Sequence, residues 1–473
     1  MLMSEYLDTL SEQIRCKKAR PMVVEEIRGH IEDQTQAYEK AGMDHAFAME
    51  KAVADMGDPV EAGTALDKIH RPKMQWSMII MAVALSLFGM LMQILIFYTG
   101  CLSNDSNVTT IRDDYIFNAV LYTVIGIAVM IGTCLLDYTF LGEHPLTLWF
   151  LICAFSFINF ISYENGWGLW FSSYRTVYAM IYYLLTLMLP VFAAVVFSLR
   201  RHTFSAFVKC IGLAVLGLLS TGLVYVSAMI EYVLCILIIL SVAVMKGWFV
   251  SLSDQKAFMK KWIQLAILWI PSIVFPAFVI FSAIFWTDST SLLAPYQSFR
   301  IQAMFGLLED AEYTVNYALT AVRQLLSEAS FLGNQELPLT TLPAIQNNYI
   351  ITSIVTYFGI GAAVVILLLI GLFLCKAFHI SLRQKNQLGS IISIACSGAL
   401  LLKSCIYLCS NLGITMLFSQ MSMPFLSFGL MNTIINAVLT GLLLSVFRNT
   451  DIISEKMIGP KYRFHFTIQK IKE

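Results

Sequence analysis

Apolar and polar positions fall into long blocks along this chain. After a polar prefix, apolar runs recur at 76–99, 115–138, 145–163, 176–199, 205–226, 229–247, 263–285, 349–375, 389–410 and 425–447. A helix needs about 20 apolar residues to cross a hydrocarbon core of about 30 Å. The pattern therefore predicts an all-α polytopic membrane protein with about ten transmembrane helices. The fifth and sixth runs nearly fuse, which leaves nine or ten. The longest polar interruption, 286–348, falls between the seventh and eighth runs. A loop of that size has room for secondary structure and a site. Inside it, Tyr317, Leu319, Val322, Leu325 and Leu326 are spaced as one short helix over 317–326.

The prefix reads differently. Residues 4–18 predict one helix. Pro21 opens a second as an N1 proline and Gly42 closes it, with Val24, Ile27 and Ile31 on one apolar face. Asp44 is placed to cap a third helix that stops at Gly57. Asp58 and Pro59 start a fourth, which ends before Pro72. Four short helices of limited apolar content make a small core, so the prefix is expected to lean on a partner, a second copy or the membrane segments.

Charge sharpens the division. Residues 1–73 hold 10 Lys/Arg and 14 Asp/Glu, that is 24 of the 62 charged residues, and the other 400 residues hold 38. We therefore read a helical prefix domain at 1–73, a membrane domain at 76–455 and a basic tail at 456–473. Lys and Arg in short loops and the tail gather on one side, at Lys68, Arg71, Lys73, Arg200, Arg201, Lys246, Lys256, Lys260, Lys261, Lys376, Arg383, Lys385, Arg448, Lys456, Lys461 and Arg463. The other side has only isolated arginines, among them Arg112, Arg175, Arg300 and Arg323. By the positive-inside bias both termini are expected in the cytoplasm of a multi-pass cell-membrane protein, with 286–348 outside. The lipid bilayer is thus the first partner. The net charge is zero and no basic groove motif occurs, so no nucleic-acid partner is expected. The ten cysteines are scattered without CxxC or CxxH spacing, which argues against a zinc site or disulfide framework.

Chemistry-bearing residues are sparse. Glu231 lies in apolar surroundings, but at the expected outer turn between the fifth and sixth runs it reads as an exposed turn residue. Lys403 stands within the ninth run, to pair with a carboxylate or snorkel. The outer loop carries Asp288, Glu309, Asp310, Glu312, Glu328 and Glu336, expected mostly as solvated groups. No Walker A loop, GxSxG or HExxH is present, which removes support for ATP-driven transport and hydrolase chemistry.

Two resemblances order these observations. The prefix, through QIR at 13–15, EEIRGHIED at 25–33 and MGDPVEAGTALDKIHRP at 56–72, resembles the permease prefix domains that precede membrane proteins in Gram-positive bacteria. From 76 to 455 the chain resembles the SEDS family (shape, elongation, division and sporulation; the FtsW/RodA/SpoVE group). PYQSFRIQAMF at 295–305 is similar to the family's YQ-x-x-R, with Arg300 at the arginine, and the stretch from Leu342 and Pro343 to Gly359 is similar to its LP-x-x-x-T-D-F-I-F…G. Asn411, Leu412 and Gly413 with PFLSFG at 424–429 resemble N-I-G…P-F-x-S-Y-G-G, and LLLSVFRNTDI at 442–452 also fits. Asn165, Gly166, Trp170 and Phe171 resemble N-G-A-x-x-W-I.

The resemblance implies a protein of peptidoglycan synthesis in cell division, cell shape or sporulation. That family polymerises lipid-linked disaccharide precursors at the outer membrane face and works with a class B penicillin-binding protein. It implies substrate contacts at Arg300, Trp170, Asn411, Pro424 and Ser427. It needs a carboxylate to take the attacking hydroxyl's proton, and cationic groups or a divalent metal to offset the leaving diphosphate. No other cofactor is implied.

The departures bear on the chemistry. Asn348 stands at the position of the family's catalytic aspartate, and an amide is no general base at neutral pH. Thr356 and Tyr357 replace its E-E, Leu169 replaces an arginine, and residues 227–232 replace its P-D-x-G-T. The resulting expectation is a divergent SEDS protein that binds lipid-linked precursor or a partner with weak or no glycosyltransferase activity. Two alternatives stay open. One is an active enzyme using another carboxylate, Glu336 or Glu312. The other is a transporter or lipid flippase.

Overall fold

The computed structural model describes residues 2–17, 19–70, 72–100, 106–164, 174–200, 203–222, 226–251, 256–285, 298–299, 301–302, 317–333, 348–414 and 422–450. Among them there is no strand. The prefix contains α1 (Met3–Gln13), α2 (Arg20–Lys40), α3 (His45–Asp55) and α4 (Pro59–His70). The expected caps are in place. The Asp44 carboxylate accepts from the Ala46 amide at 3.3 Å and that of Asp58 from the Val60 amide at 3.0 Å. α1 stops at Gln13, short of the expected residue 18. There Ile14 turns inward to join Tyr6, Leu7, Leu10, Val23 and Ile31 in the prefix core, and the Arg15 amide donates to Asp67 Oδ1 at 2.8 Å. The sequence pattern misses this because Cys16 and Lys17 prolong an acceptable helical period beyond the break.

The bundle follows as α5 (Trp76–Gly100), α6 (Ser106–Leu135), short α7 (Thr139–Glu143), α8 (Pro145–Glu164), α9 (Tyr174–Ser198), α10 (Phe204–Leu219), α11 (Val226–Met245), α12 (Ala257–Phe285), α13 (Tyr317–Ser327), α14 (Ile350–Leu382), α15 (Gln387–Asn411) and α16 (Leu430–Arg448). Seven of these are long and apolar enough to cross a membrane, and Pro145–Ile161, Tyr182–Ser198 and Phe204–Leu219 are apolar but shorter. The ten expected runs each match a helix, with the fifth and sixth separate. This is an all-α multi-pass membrane protein. α9 and α15 form its centre: Met188, Phe192 and Val196 of the one, and Ile392, Cys396 and Leu400 of the other, are fully or nearly fully buried. α16 packs along α6, α8 along α9, and α14 and α11 each along α15. The outer helices α12 and α14 instead expose Ile270, Ile273, Phe275, Val365 and Leu368, as a face against lipid requires.

Two local features shape the outer end. The last run begins helix only at Leu430, five residues later than expected, because 424–429 is a turn with Phe425 at φ 68° and Gly429 at φ 129°. α14 is broken at Gly359, whose φ of 88° and ψ of 168° are outside any helix. Its Cβ, if it had one, would lie 2.2 Å from the Phe331 carbonyl oxygen. The amides freed by the break are not orphaned. Ile360 donates to Ser330 O at 3.2 Å and Gly361 to Phe331 O at 3.3 Å, from the segment that follows α13.

Candidate functional site

The loop–helix junction ahead of α14 is built from hydroxyls, amides and main-chain groups. Asn411 ends α15, and Gly413 beyond it adopts φ 68° so that the Gly413 and Ile414 amides return to Ser410 and Cys409 carbonyls. That turn leaves the Asn411 side chain, fully buried, beneath the start of α14. Its Nδ2 donates to Asn348 O at 2.9 Å and to Tyr407 O at 3.1 Å. Its Oδ1 accepts from the Thr352 amide at 3.1 Å and from Thr352 Oγ1 at 3.2 Å. The Tyr407 hydroxyl accepts from the Ile350 amide at 2.9 Å. Two first-turn donors of α14, which have no partner within their own helix, are thus satisfied by α15 side chains.

Ser427 lies in the adjoining turn and within hydrogen-bond reach of Tyr407. Its hydroxyl accepts from the Met423 amide at 2.7 Å. Gln93 of α5 donates to the Leu426 carbonyl, and Pro424 is buried behind it. A cavity of about 40 Å³ opens between α5, α6, this turn and α16, lined by Gln93, Tyr122, Thr123, Ser427 and Asn436. Above, α13 closes the junction with an apolar patch of Leu319, Val322 and Leu325 against Tyr349 and Tyr357, and Arg323 Nε donates to Gly413 O at 3.0 Å.

Of the residues singled out by sequence, Asn348, Asn411, Pro424 and Ser427 come together here. Arg300, Trp170 and Glu336 lie outside the described residues, as do Asn165, Gly166 and Glu312. Asn348 uses its main-chain carbonyl to hold Asn411, and the residue is half-buried. Thr356 is fully buried and donates back to Thr352 O at 2.9 Å, the ordinary bond of a helical threonine. This donor set has no carboxylate, and among the described residues no three His, Cys, Asp or Glu side chains converge. The junction does not fit a divalent cation.

Sequence reasoning missed Tyr407, Thr352 and Gln93, and it misplaced Glu231. Glu231 is not an exposed turn residue. The turn falls at 220–222, a helical turn or more earlier, so Glu231 sits inside α11 at 2% exposure. Its polar neighbours are Lys403 of α15 and Tyr182 of α9, and neither carboxylate oxygen has a partner in hydrogen-bonding geometry. Lys403, fully buried, donates to Asn436 Oδ1 at 3.2 Å, and its Nζ lies 4.9 Å from the Tyr182 ring centre. Lys403 does not snorkel. Glu231 of α11 and Lys403 of α15 are therefore buried near one another without a direct ion-pair contact, and Asn436 links Lys403 to the small cavity.

No protein-family model and no curated protein matches the chain. Solved structures do. A chain from the structure "Structural coordination of polymerization and crosslinking by a peptidoglycan synthase complex" superposes with a TM-score of 0.51 at 14% identity, over 80% of this chain and 98% of that one. The membrane bundle has a SEDS-type fold. A crystal structure of a mutant Thermus thermophilus rod shape determining protein RodA matches over the same shares at TM-score 0.47 and 12% identity. The four residues gathered at the α14–α15 junction come from two of the three sequence blocks that carry the resemblance, the Leu342–Gly359 stretch and the Asn411–Gly429 stretch.

Proposed function

We propose that this protein acts in peptidoglycan synthesis, in cell division, cell shape or sporulation, by binding a lipid-linked precursor or a partner with weak or no polymerase activity. The observation that carries this is Asn348. Glycosyl transfer from a polyprenyl diphosphate needs a base for the attacking hydroxyl and positive charge for the departing diphosphate. At the junction where the SEDS resemblance places the base there is a carboxamide, whose main-chain oxygen is held by Asn411. The family's paired glutamates are replaced by Thr356 and Tyr357, both buried. The fold is retained and the acid–base group is not.

The orientation belongs to the same reading. The lysine and arginine bias puts both termini in the cytoplasm and α13 outside. There a class B penicillin-binding protein is the partner class, in line with the complex from which the similar solved chain comes. No resident cofactor is needed for binding alone. A second reading, a transporter or flippase, draws on the buried Glu231 and Lys403.

The test is Asn348→Asp in purified protein given lipid-linked disaccharide and a divalent metal. General-base catalysis is worth roughly 10²–10⁴-fold, so polymer should appear above the wild-type level. Wild-type polymerisation that Asn348→Ala leaves intact would move catalysis to another carboxylate, with Glu336 next. Failure of both forms to bind the lipid substrate would overturn precursor binding and leave the partner or transport role.

A further inference from the structure

The opposite end of the bundle holds a larger and differently charged pocket. It has a volume of about 280 Å³, seven times that of the cavity beside Ser427. Three chain segments meet in it: the 72–75 linker from the prefix, the C-terminal end of α14 and the C-terminal end of α16. Lys73, His379, Arg383, Gln384, Arg448 and Thr450 line it, and none of the described lining residues is acidic. Two helix C-termini bring about half a negative charge each. Arg383 and Arg448 bring two positive charges and Lys73 a third side chain of the same sign, so the described lining is net cationic.

The pocket is held in place and left polar. The Lys73 amide donates to Arg448 O at 3.1 Å, which fixes the linker to the end of α16. Arg448 Nη2 donates to Leu135 O at 3.1 Å, so its guanidinium is oriented by α6. Yet Arg448 Nε and Gln384 Oε1 are both buried without a hydrogen-bond partner. Neither atom reaches the pocket, so an anion there would be met by the outer guanidinium nitrogens and by Arg383 and Lys73. The position is also telling. Past the break at Gly359, α14 continues from Ile360 to Leu382, about 35 Å at 1.5 Å per residue and a little beyond a hydrocarbon core of about 30 Å. His379 and Arg383, past its apolar run, thus fall at the headgroup level. Arginine there suits the paired oxygens of a phosphate, and basic pockets between helices at this level take lipid phosphates.

We propose that this pocket binds a phosphate-bearing anion, and that the bound group tethers the prefix linker to α14 and α16. The site is independent of the chemistry at Asn348. The phosphate can belong to a phospholipid headgroup or be free in solution. Detergent-solubilised full-length protein is titrated with dihexanoyl phosphatidylglycerol, dihexanoyl phosphatidylcholine and inorganic phosphate, with binding read by thermophoresis. Tighter binding of phosphatidylglycerol than of phosphatidylcholine by tenfold or more, unaffected by millimolar phosphate, assigns the site to lipid. Displacement by millimolar phosphate assigns it to a free anion. In either case Arg383→Gln weakens binding tenfold or more, while Lys260→Gln, an equal charge change at an exposed residue away from the pocket, does not. Arg383 is exposed, so the melting temperature should hold. Absence of binding to all three probes, or equal loss in Arg383→Gln and Lys260→Gln, overturns the proposal.

Discussion

Asn411→Ala tests the junction most directly. The substitution removes four hydrogen bonds at once: two donated by Nδ2, to Asn348 O and Tyr407 O, and two accepted by Oδ1 from Thr352. They do not weigh equally. Tyr407 O is an ordinary helical carbonyl, and Thr352 Oγ1 retains the Asn411 main-chain oxygen at 3.0 Å as a second acceptor. The Thr352 amide and the Asn348 carbonyl are the groups left stranded, one of them fully buried. At about 1–3 kcal/mol for the buried amide and about 1 kcal/mol for the half-buried residue's carbonyl, the loss comes to about 2–4 kcal/mol. An unfolding entropy of about 2 cal/mol/K per residue over roughly 400 residues turns this into a fall in melting temperature of about 2–5 °C. Thr352→Val is the control, because it keeps the stranded amide's partner and removes only a hydroxyl, so it should shift the midpoint by less than half as much. Both are read by thermal unfolding of purified protein in one detergent. An Asn411→Ala variant that melts with the parent would refute the claim that this side chain pins α14 to α15.

Other outcomes follow from the same geometry. Lys403→Met alone leaves the Glu231 carboxylate uncompensated in the core and should cost about 3–5 kcal/mol, whereas Glu231→Leu with Lys403→Met should recover most of it; strictly additive single and double mutants in thermal unfolding would show that the two do not interact. Gly359→Ala places a methyl 2.2 Å from Phe331 O at a φ of 88°, so hydrogen exchange at the Ile360 and Gly361 amides should accelerate at least tenfold, and unchanged exchange would mean that the break tolerates a side chain. A reporter fused after Gln324 should read as external and one after Arg383 as cytoplasmic; a cytoplasmic signal at Gln324 would invert the whole arrangement.

The helices were legible because lipid demands long apolar runs, and the ends in the prefix because Asp44 and Asp58 are short polar side chains placed to cap them. Block order along the chain was enough to indicate the SEDS-type fold. The site was only partly legible. Asn411 and Asn348 were found through motif position, but their bond spans 63 residues and no local pattern records it. Tyr407 and Thr352 look like ordinary residues of apolar helices until the helix crossing sets the Ile350 amide against the Tyr407 hydroxyl and Asn411 against Thr352. Glu231 was misread because the turn before α11 falls at Ser220, Thr221 and Gly222, which the apolar run read over 205–226 passes across. Periodicity marks which residues avoid water, not where a connection falls within an apolar stretch.

The crossing at Gly359 has a consequence for how such a chain drifts over generations. The strap after α13 meets α14 through carbonyls of Ser330 and Phe331 and amides of Ile360 and Gly361, all main-chain groups. Gly333, whose own Cβ would fall 2.3 Å from Tyr357 O, faces Gly359 across the same contact. Only two positions there are constrained to a residue type, and neither bears a side chain. Carboxylates and arginines around the crossing can be exchanged one by one while the helix break and the strap persist. An architecture of this kind rests on main-chain contacts that exchange of the surrounding side chains need not disturb.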